Sequence, residues 1–165
     1  MVLLFYLLAA VVWDLVQFRV PNYFILPGLV LGILLLPYHG LSIPEVLLGS
    51  VCPLIFLYPL FAVGAFGAGD IKLFIVTGLF LGGLNLYLVA ASFFTGGILA
   101  LFKMLSDRSL VPRLFYFYSY ILQCISQKKI NTYLSYSPEK ENNRIHFTAA
   151  VMLGYLLLSA WRDCL

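Results

Sequence analysis

"FGAGDIKLFIVTGLFLGG", residues 66–83, sets a single carboxylate, Asp70, between a glycine-rich turn and a nearly unbroken apolar run. A run of this kind is the material of a membrane-spanning helix, and an ionisable group at its head is something hydrocarbon does not ordinarily tolerate. The remainder of the chain is of the same character. Of 165 residues, 62% are hydrophobic and 10% charged, and the mean hydropathy is +0.99. A water-soluble domain of this length leaves too much surface in solvent to hide so much apolar area, so the bilayer is the solvent that fits. The sequence predicts an all-α polytopic membrane protein, with residues 1–165 forming one integral-membrane domain.

Working outward from residues 66–83, apolar segments separated by turn signals predict six spans, near residues 2–18, 23–37, 45–63, 71–83, 86–103 and 145–161. The breaks are RVPN, PYHGLSIP, FGAG, GGLN and a polar stretch around 128–144. The fourth span falls short of the roughly 17–20 residues that a bilayer requires, so it is expected to begin or end inside protein. The opening run MVLLFYLLAAVVW has no basic residue ahead of it, and Asp14 follows where a signal peptide has a small-residue cleavage site. It is therefore expected to be a retained first span. Residues 114–127 are too few to cross. Tyr116, Ser119, Tyr120, Gln123 and Gln127 recur there at helical spacing, opposite Leu114, Phe117, Ile121, Leu122 and Ile125. That pattern predicts a helix lying in the cytoplasmic membrane surface, within a polar loop of about 104–144. Two GxxxG pairs, Gly28–Gly32 and Gly78–Gly82, are taken as helix-packing contacts.

Charge fixes the expected orientation. With the N-terminus outside, the inner face holds Arg19, Lys72, Lys103, Arg108, Arg113, Lys128, Lys129, Lys140 and Arg144, nine of the ten basic residues, and leaves Arg162 outside. The excess of inner positive charge selects this arrangement. Both termini are then non-cytoplasmic in a multi-pass protein of the cell membrane. The cluster Lys128, Lys129, Lys140 and Arg144 is expected to orient the chain and touch anionic membrane lipid, not nucleic acid. Cys52, Cys124 and Cys164 have no CxxC spacing, so neither a metal site nor a cofactor is expected.

Two of the seven acidic residues lack an easy explanation. Glu45, Asp107, Glu139, Glu141 and Asp163 lie in loops or at span edges, but Asp14 sits five residues before Arg19, roughly 7 Å inside the boundary. Asp70 heads a span that starts from the same side, so the two carboxylates are expected at similar depth. Taken singly, Asp14 could pair with Arg19 and Asp70 could cap its helix. Neither role requires a shared depth, whereas two carboxylates able to share a proton are equipment for acid–base hydrolysis. The glycines before Asp70 leave room for an extended chain. Asp70, at the positive end of its helix, is expected to start as the base and Asp14 as the acid.

The stretches WD at the inner end of span one, RVPN after it, and GAGDIK at the head of span four resemble the type IV prepilin and preflagellin peptidases, GxGD intramembrane aspartyl proteases. The resemblance implies that Asp14 and Asp70 are the catalytic pair. It also implies that Arg19, Pro21, Asn22, Gly67, Gly69 and Lys72 shape the site or meet substrate. The substrate implied is a type IV prepilin-like or preflagellin-like precursor, losing its short leader peptide at the cytoplasmic membrane face. Residues 144–154, RIHFTAAVMLG, are similar to the family's R-I-P-F-G-P lead into its last helix, with His146, Thr148 and Ala149 in place of Pro, Gly and Pro. His146 is expected to be an amphipathic anchor, the usual role of a lone histidine at a membrane interface. Lacking an insert with paired CxxC motifs, the chain resembles the short form, from which no N-methyltransferase activity is expected. The rival from another class is a small proton- or cation-coupled transporter using the same carboxylates, and the third reading is a non-catalytic membrane subunit.

Overall fold

The computed structural model describes residues 2–17, 21–63, 66–106, 110–127 and 146–164, and every element among them is helical. The helices are α1 (Val2–Gln17), α2 (Asn22–His39), α3 (Ile43–Ala62), α4 (Ala68–Leu81), α5 (Asn85–Ser106), α6 (Leu110–Gln127) and α7 (Phe147–Asp163). A 3-10 turn, Gly82–Leu84, joins α4 to α5. Among the described residues, three stretches are long and apolar enough to cross a membrane, Asn22–His39, Ile43–Ala62 and Ala68–Ser106, and α1 and α7 are shorter apolar helices. The chain is an all-helical, polytopic membrane protein.

Helix α1 shows how an apolar helix in lipid acquires an inside. Its buried residues, Leu3, Tyr6, Leu7, Ala10 and Asp14, recur every three or four positions and so form one stripe. Phe5, Val12, Leu15 and Val16, off that stripe, are exposed where lipid would lie. Asp14 thus points into the bundle because it continues the line of Leu7 and Ala10.

The stretch Ala68–Ser106 is not one long rod. Phe66, just before α4, stacks on Phe93, more than two turns into α5, with ring centroids 5.5 Å apart. The 3-10 turn therefore folds α5 back along α4. Gly82 makes this possible by adopting φ +54°, a conformation that side chains with a Cβ rarely take. At fourteen residues, α4 is about 21 Å long, short of the roughly 30 Å hydrocarbon core, as its sequence predicts.

A buried polar knot anchors this hairpin to α3. Asn85, fully buried, donates to the carbonyls of Gly49 at 2.7 Å and Phe74 at 2.8 Å, and accepts from Thr77 Oγ1 at 2.7 Å. Both amide hydrogens and the amide oxygen are therefore satisfied, which is the condition for an asparagine to be tolerated in such a place. The backbones of α3 and α4 come close enough that a Cβ on Gly78 would lie 2.6 Å from the Gly49 carbonyl oxygen. Gly28 and Gly32, the other GxxxG pair, receive Tyr6 of α1 and Leu79 of α4. Gly28, Gly32 and Gly78 serve helix packing, as expected, whereas Gly82 serves the turn that ends α4.

Helices α3 and α2 pack against α4, and α7 packs against both α5 and α1. The α5–α7 seam is made of small and hydroxyl residues. A Cβ on Gly154 would meet Ser92, and Thr95 Oγ1 lies 2.9 Å from the Ala150 carbonyl oxygen. Several boundaries differ from the sequence expectation, among them the start of α4 at Ala68 and the end of α5 at Ser106, each three residues beyond the expected span. Helix α2 runs through Pro37 to His39 before Gly40 ends it with φ +63°; Pro37 withholds one N–H from the ladder, a loss that membrane-spanning helices tolerate. Helix α6 starts at Leu110, four residues ahead of residue 114, because Pro112 falls in its first turn, where no intrahelical N–H partner is needed. Phe115, Phe117, Tyr118, Ile121 and Leu122 of α6 are exposed. The side chains of Leu114, Tyr116, Tyr120, Gln123, Ile125 and Gln127 lie outside those described, as do residues 128–145 with Lys128, Lys129, Lys140 and Arg144.

Candidate active site

The head of α4 is built around Asp70. Gly67 is the N-cap, with extended backbone (φ −82°, ψ 141°), so Asp70 is the third residue of the helix and not its cap. From that position its side chain folds back over the turn. A Cβ placed on Gly67 would stand 2.9 Å from Asp70 Oδ2. The first glycine of the GAGD stretch thus leaves the space that the carboxylate occupies. Gly69 is the second helical residue and is partly buried. Asp70 itself is partly buried, and among the described residues no group donates a hydrogen bond to it.

Lys72, two residues on, donates from Nζ to Asn22 Oδ1 at 2.7 Å. This ties the head of α4 to the first residue of α2. Pro21, the N-cap of α2, holds ψ at 155° and accepts the Phe24 amide at 3.0 Å. Pro21, Asn22 and Lys72 are therefore brought together at one end of the bundle. Arg19 lies outside the described residues.

Asp14 is buried, 8% exposed, and a carboxylate in such a position needs donors. It obtains them from α7. Thr148 Oγ1 donates to Asp14 Oδ2 at 2.6 Å, a length typical of a hydroxyl on a carboxylate, and His146 Nδ1 lies 3.3 Å from the same oxygen. His146 is thus not an isolated interfacial anchor: it stands at the first aspartate. Thr148 was visible in the sequence only as a residue in place of glycine. Two hydrogen-bonding side chains opening an otherwise apolar helix were the signal that could have singled it out. Phe147, between these two partners of Asp14, contacts Phe66 and Phe74, which flank Asp70 in the chain, so both carboxylates lie toward the same end of the bundle.

Phe147, between the two Asp14 partners, explains how α7 is held in register. Its ring meets Phe66 at 4.9 Å, Phe93 at 5.7 Å and Phe74 at 6.1 Å between centroids, mostly edge to face. Gly96 gives it room, since a Cβ there would come within 3.1 Å of the ring. The aromatic cluster therefore joins the start of α7 to the starts of α4 and the middle of α5. Trp13, beside Asp14 in the chain, packs edge to face on Tyr23, and its buried Nε1–H has no hydrogen-bond partner among the described residues. No group of three His, Cys, Asp or Glu side chains among the described residues is placed to hold a metal ion.

Residues 1–101, which carry Asp14, the PN pair and the GAGD turn, match the type IV leader peptidase family. The chain belongs to the type IV leader peptidase family. No curated protein and no solved structure matches it. Membership in the type IV leader peptidase family makes it a peptidase of the membrane. The match covers α1 to α4 and most of α5, and α7, with the two Asp14 partners, lies beyond it.

Proposed function

We propose that this protein is a membrane-embedded aspartyl endopeptidase that removes the short leader of type IV prepilin-like or preflagellin-like precursors, with Asp14 and Asp70 as its catalytic pair. The observation that carries this reading is the contrast between the two carboxylates. In a leader peptidase chain, Asp14 is buried and fixed by donors, while Asp70 lies at a glycine-opened helix head that Phe147 ties to the start of α7.

The chemistry follows from that contrast. Asp14 Oδ2 already accepts Thr148, so a proton shared by the pair sits on Asp70 or on Asp14 Oδ1. Asp14 takes the proton of a water as its oxygen attacks the scissile carbonyl, and Asp70 donates its proton to the carbonyl oxygen. The tetrahedral intermediate collapses as the proton on Asp14 passes to the leaving amine and one hydroxyl of the diol returns its proton to Asp70, which restores the starting pair. This assigns Asp14 as base and Asp70 as acid, the reverse of the division expected from helix position alone.

The exposed backbone at Gly67 and the Asn22–Lys72 tie flank the place where an extended leader junction would lie. The excess of basic residues on one side supports an orientation with both termini outside and the site at the cytoplasmic face. There a precursor's helix stays in lipid while its leader junction unwinds in water-accessible surroundings, since peptide bonds in a helix are poor targets. A single membrane domain containing the α6 loop, and anionic lipid around it, complete the proposal.

The test is co-expression with a prepilin-like precursor, comparing wild type, Asp14→Asn and Asp70→Asn by gel shift and N-terminal sequencing. Cleavage before the hydrophobic helix by wild type alone supports the pair. Cleavage that survives either substitution removes that aspartate from the mechanism.

A further inference from the structure

We infer that α7 supplies positioning residues for the hydrolysis: Thr148 and His146 fix the Asp14 carboxylate in its reacting orientation. The inference rests on the proposed peptidase reading and extends the site to a helix outside residues 1–101.

The geometry narrows what these groups can do. Both converge on one oxygen, Asp14 Oδ2, at 2.6 Å and 3.3 Å, and no described residue hydrogen-bonds Oδ1. A carboxylate pinned through one oxygen has its rotation about Cβ–Cγ stopped, so the other oxygen keeps a single direction. Pinning matters for a base whose proton acceptor must stay within hydrogen-bond reach of a water. The contact to His146 requires the proton on Nδ1, and the ring then takes the tautomer that donates to Asp14.

The placement is built, not incidental. Thr148 is 1% exposed, and its hydroxyl has its acceptor 134 positions away in the chain. Phe147, between the two partners, is seated among Phe66, Phe74 and Phe93, two of which belong to α4 and its approach, the element that carries Asp70. One aromatic cluster therefore holds α7 in register with the α4 head while its neighbours hold Asp14. Neither partner approaches Asp70 by hydrogen bond, so their effect on the reaction passes through Asp14.

The experiment uses the full chain in membranes, a prepilin-like precursor, and the variants Thr148→Val, Thr148→Ser, His146→Ala and His146→Asn beside Asp14→Asn. Thermal unfolding in detergent is measured on each. Valine keeps the shape of threonine without its donor, serine keeps the donor, and asparagine offers an N–H near the place of Nδ1. Losing one donor to a carboxylate is expected to lower kcat about tenfold or more with KM little changed. Thr148→Ser should recover most of the rate lost by Thr148→Val, and His146→Asn most of that lost by His146→Ala. If Asp14→Asn abolishes cleavage while Thr148→Val and His146→Ala cut like wild type, the inference is overturned and the peptidase reading stands. If serine and valine lose rate equally, in step with lowered unfolding temperature, Thr148 is a packing residue and the inference fails. If Asp14→Asn cleaves as wild type does, the reading itself falls and the inference with it.

Discussion

Gly67→Ala separates a role in chemistry from a role in folding more sharply than any change to the aspartates. The added Cβ would lie 2.9 Å from Asp70 Oδ2, about half an ångström inside ordinary contact. The atom it meets is the far end of a side chain, so the carboxylate swings aside and the backbone does not move. At φ −82° and ψ 141°, alanine is free of strain. Its poorer capping, somewhat under 1 kcal/mol, is offset by a comparable gain from restricting the unfolded chain. Stability should therefore change by less than about 1 kcal/mol. The carboxylate, displaced by about 0.5 Å, should lower kcat about tenfold, since a 1 Å misplacement costs roughly a hundredfold. Gly78→Ala is the contrast: its Cβ would meet Gly49 backbone at 2.6–2.7 Å, which cannot swing aside, so stability falls by about 3 kcal/mol or more. The assay is precursor cleavage at matched membrane levels, with thermal unfolding in detergent alongside. A Gly67→Ala protein that folds normally and cleaves at the wild-type rate would refute the reasoning that this glycine makes space for Asp70.

Three further outcomes are expected. Asn85→Leu removes both donors and the acceptor of the buried knot and should lower stability by about 2–3 kcal/mol, read from thermal unfolding; an unchanged midpoint would mean the knot is dispensable. Lys72→Met and Asn22→Ala should each change stability by less than about 1 kcal/mol, because the pair is partly solvated. Their double variant should be no worse than the worse single one, as the same hydrogen bond is lost; full additivity would show that the two act separately. Phe147→Ala, by emptying the aromatic cluster, should cost about 2–3 kcal/mol and lower cleavage further than Gly96→Ala, which only crowds the same ring; equal cleavage by the two would count against a register role for Phe147.

The spans and the two aspartates were legible in the sequence because hydrocarbon imposes length and polarity limits that local composition reports directly. The turn at Gly40, the short fourth span and the isolation of Asp14 and Asp70 among apolar residues all belong to this class. The helix partners were not legible. In water, the apolar side of a helix is the inside, but in lipid both sides are apolar, so Phe5 facing outward and Leu7 facing inward are alike to any hydropathy reading. Only the tertiary structure decided that α7 lies against α1, that Phe147 seats it on α4 and α5, and that His146 and Thr148 meet at Asp14. Those contacts join residues more than 130 positions apart, and what selects them is the shape of close-packed surfaces, which no local pattern records. The sequence by itself determined a membrane peptidase chain with two carboxylates set in apolar runs to account for. Packing alone decided which groups hold one of them still.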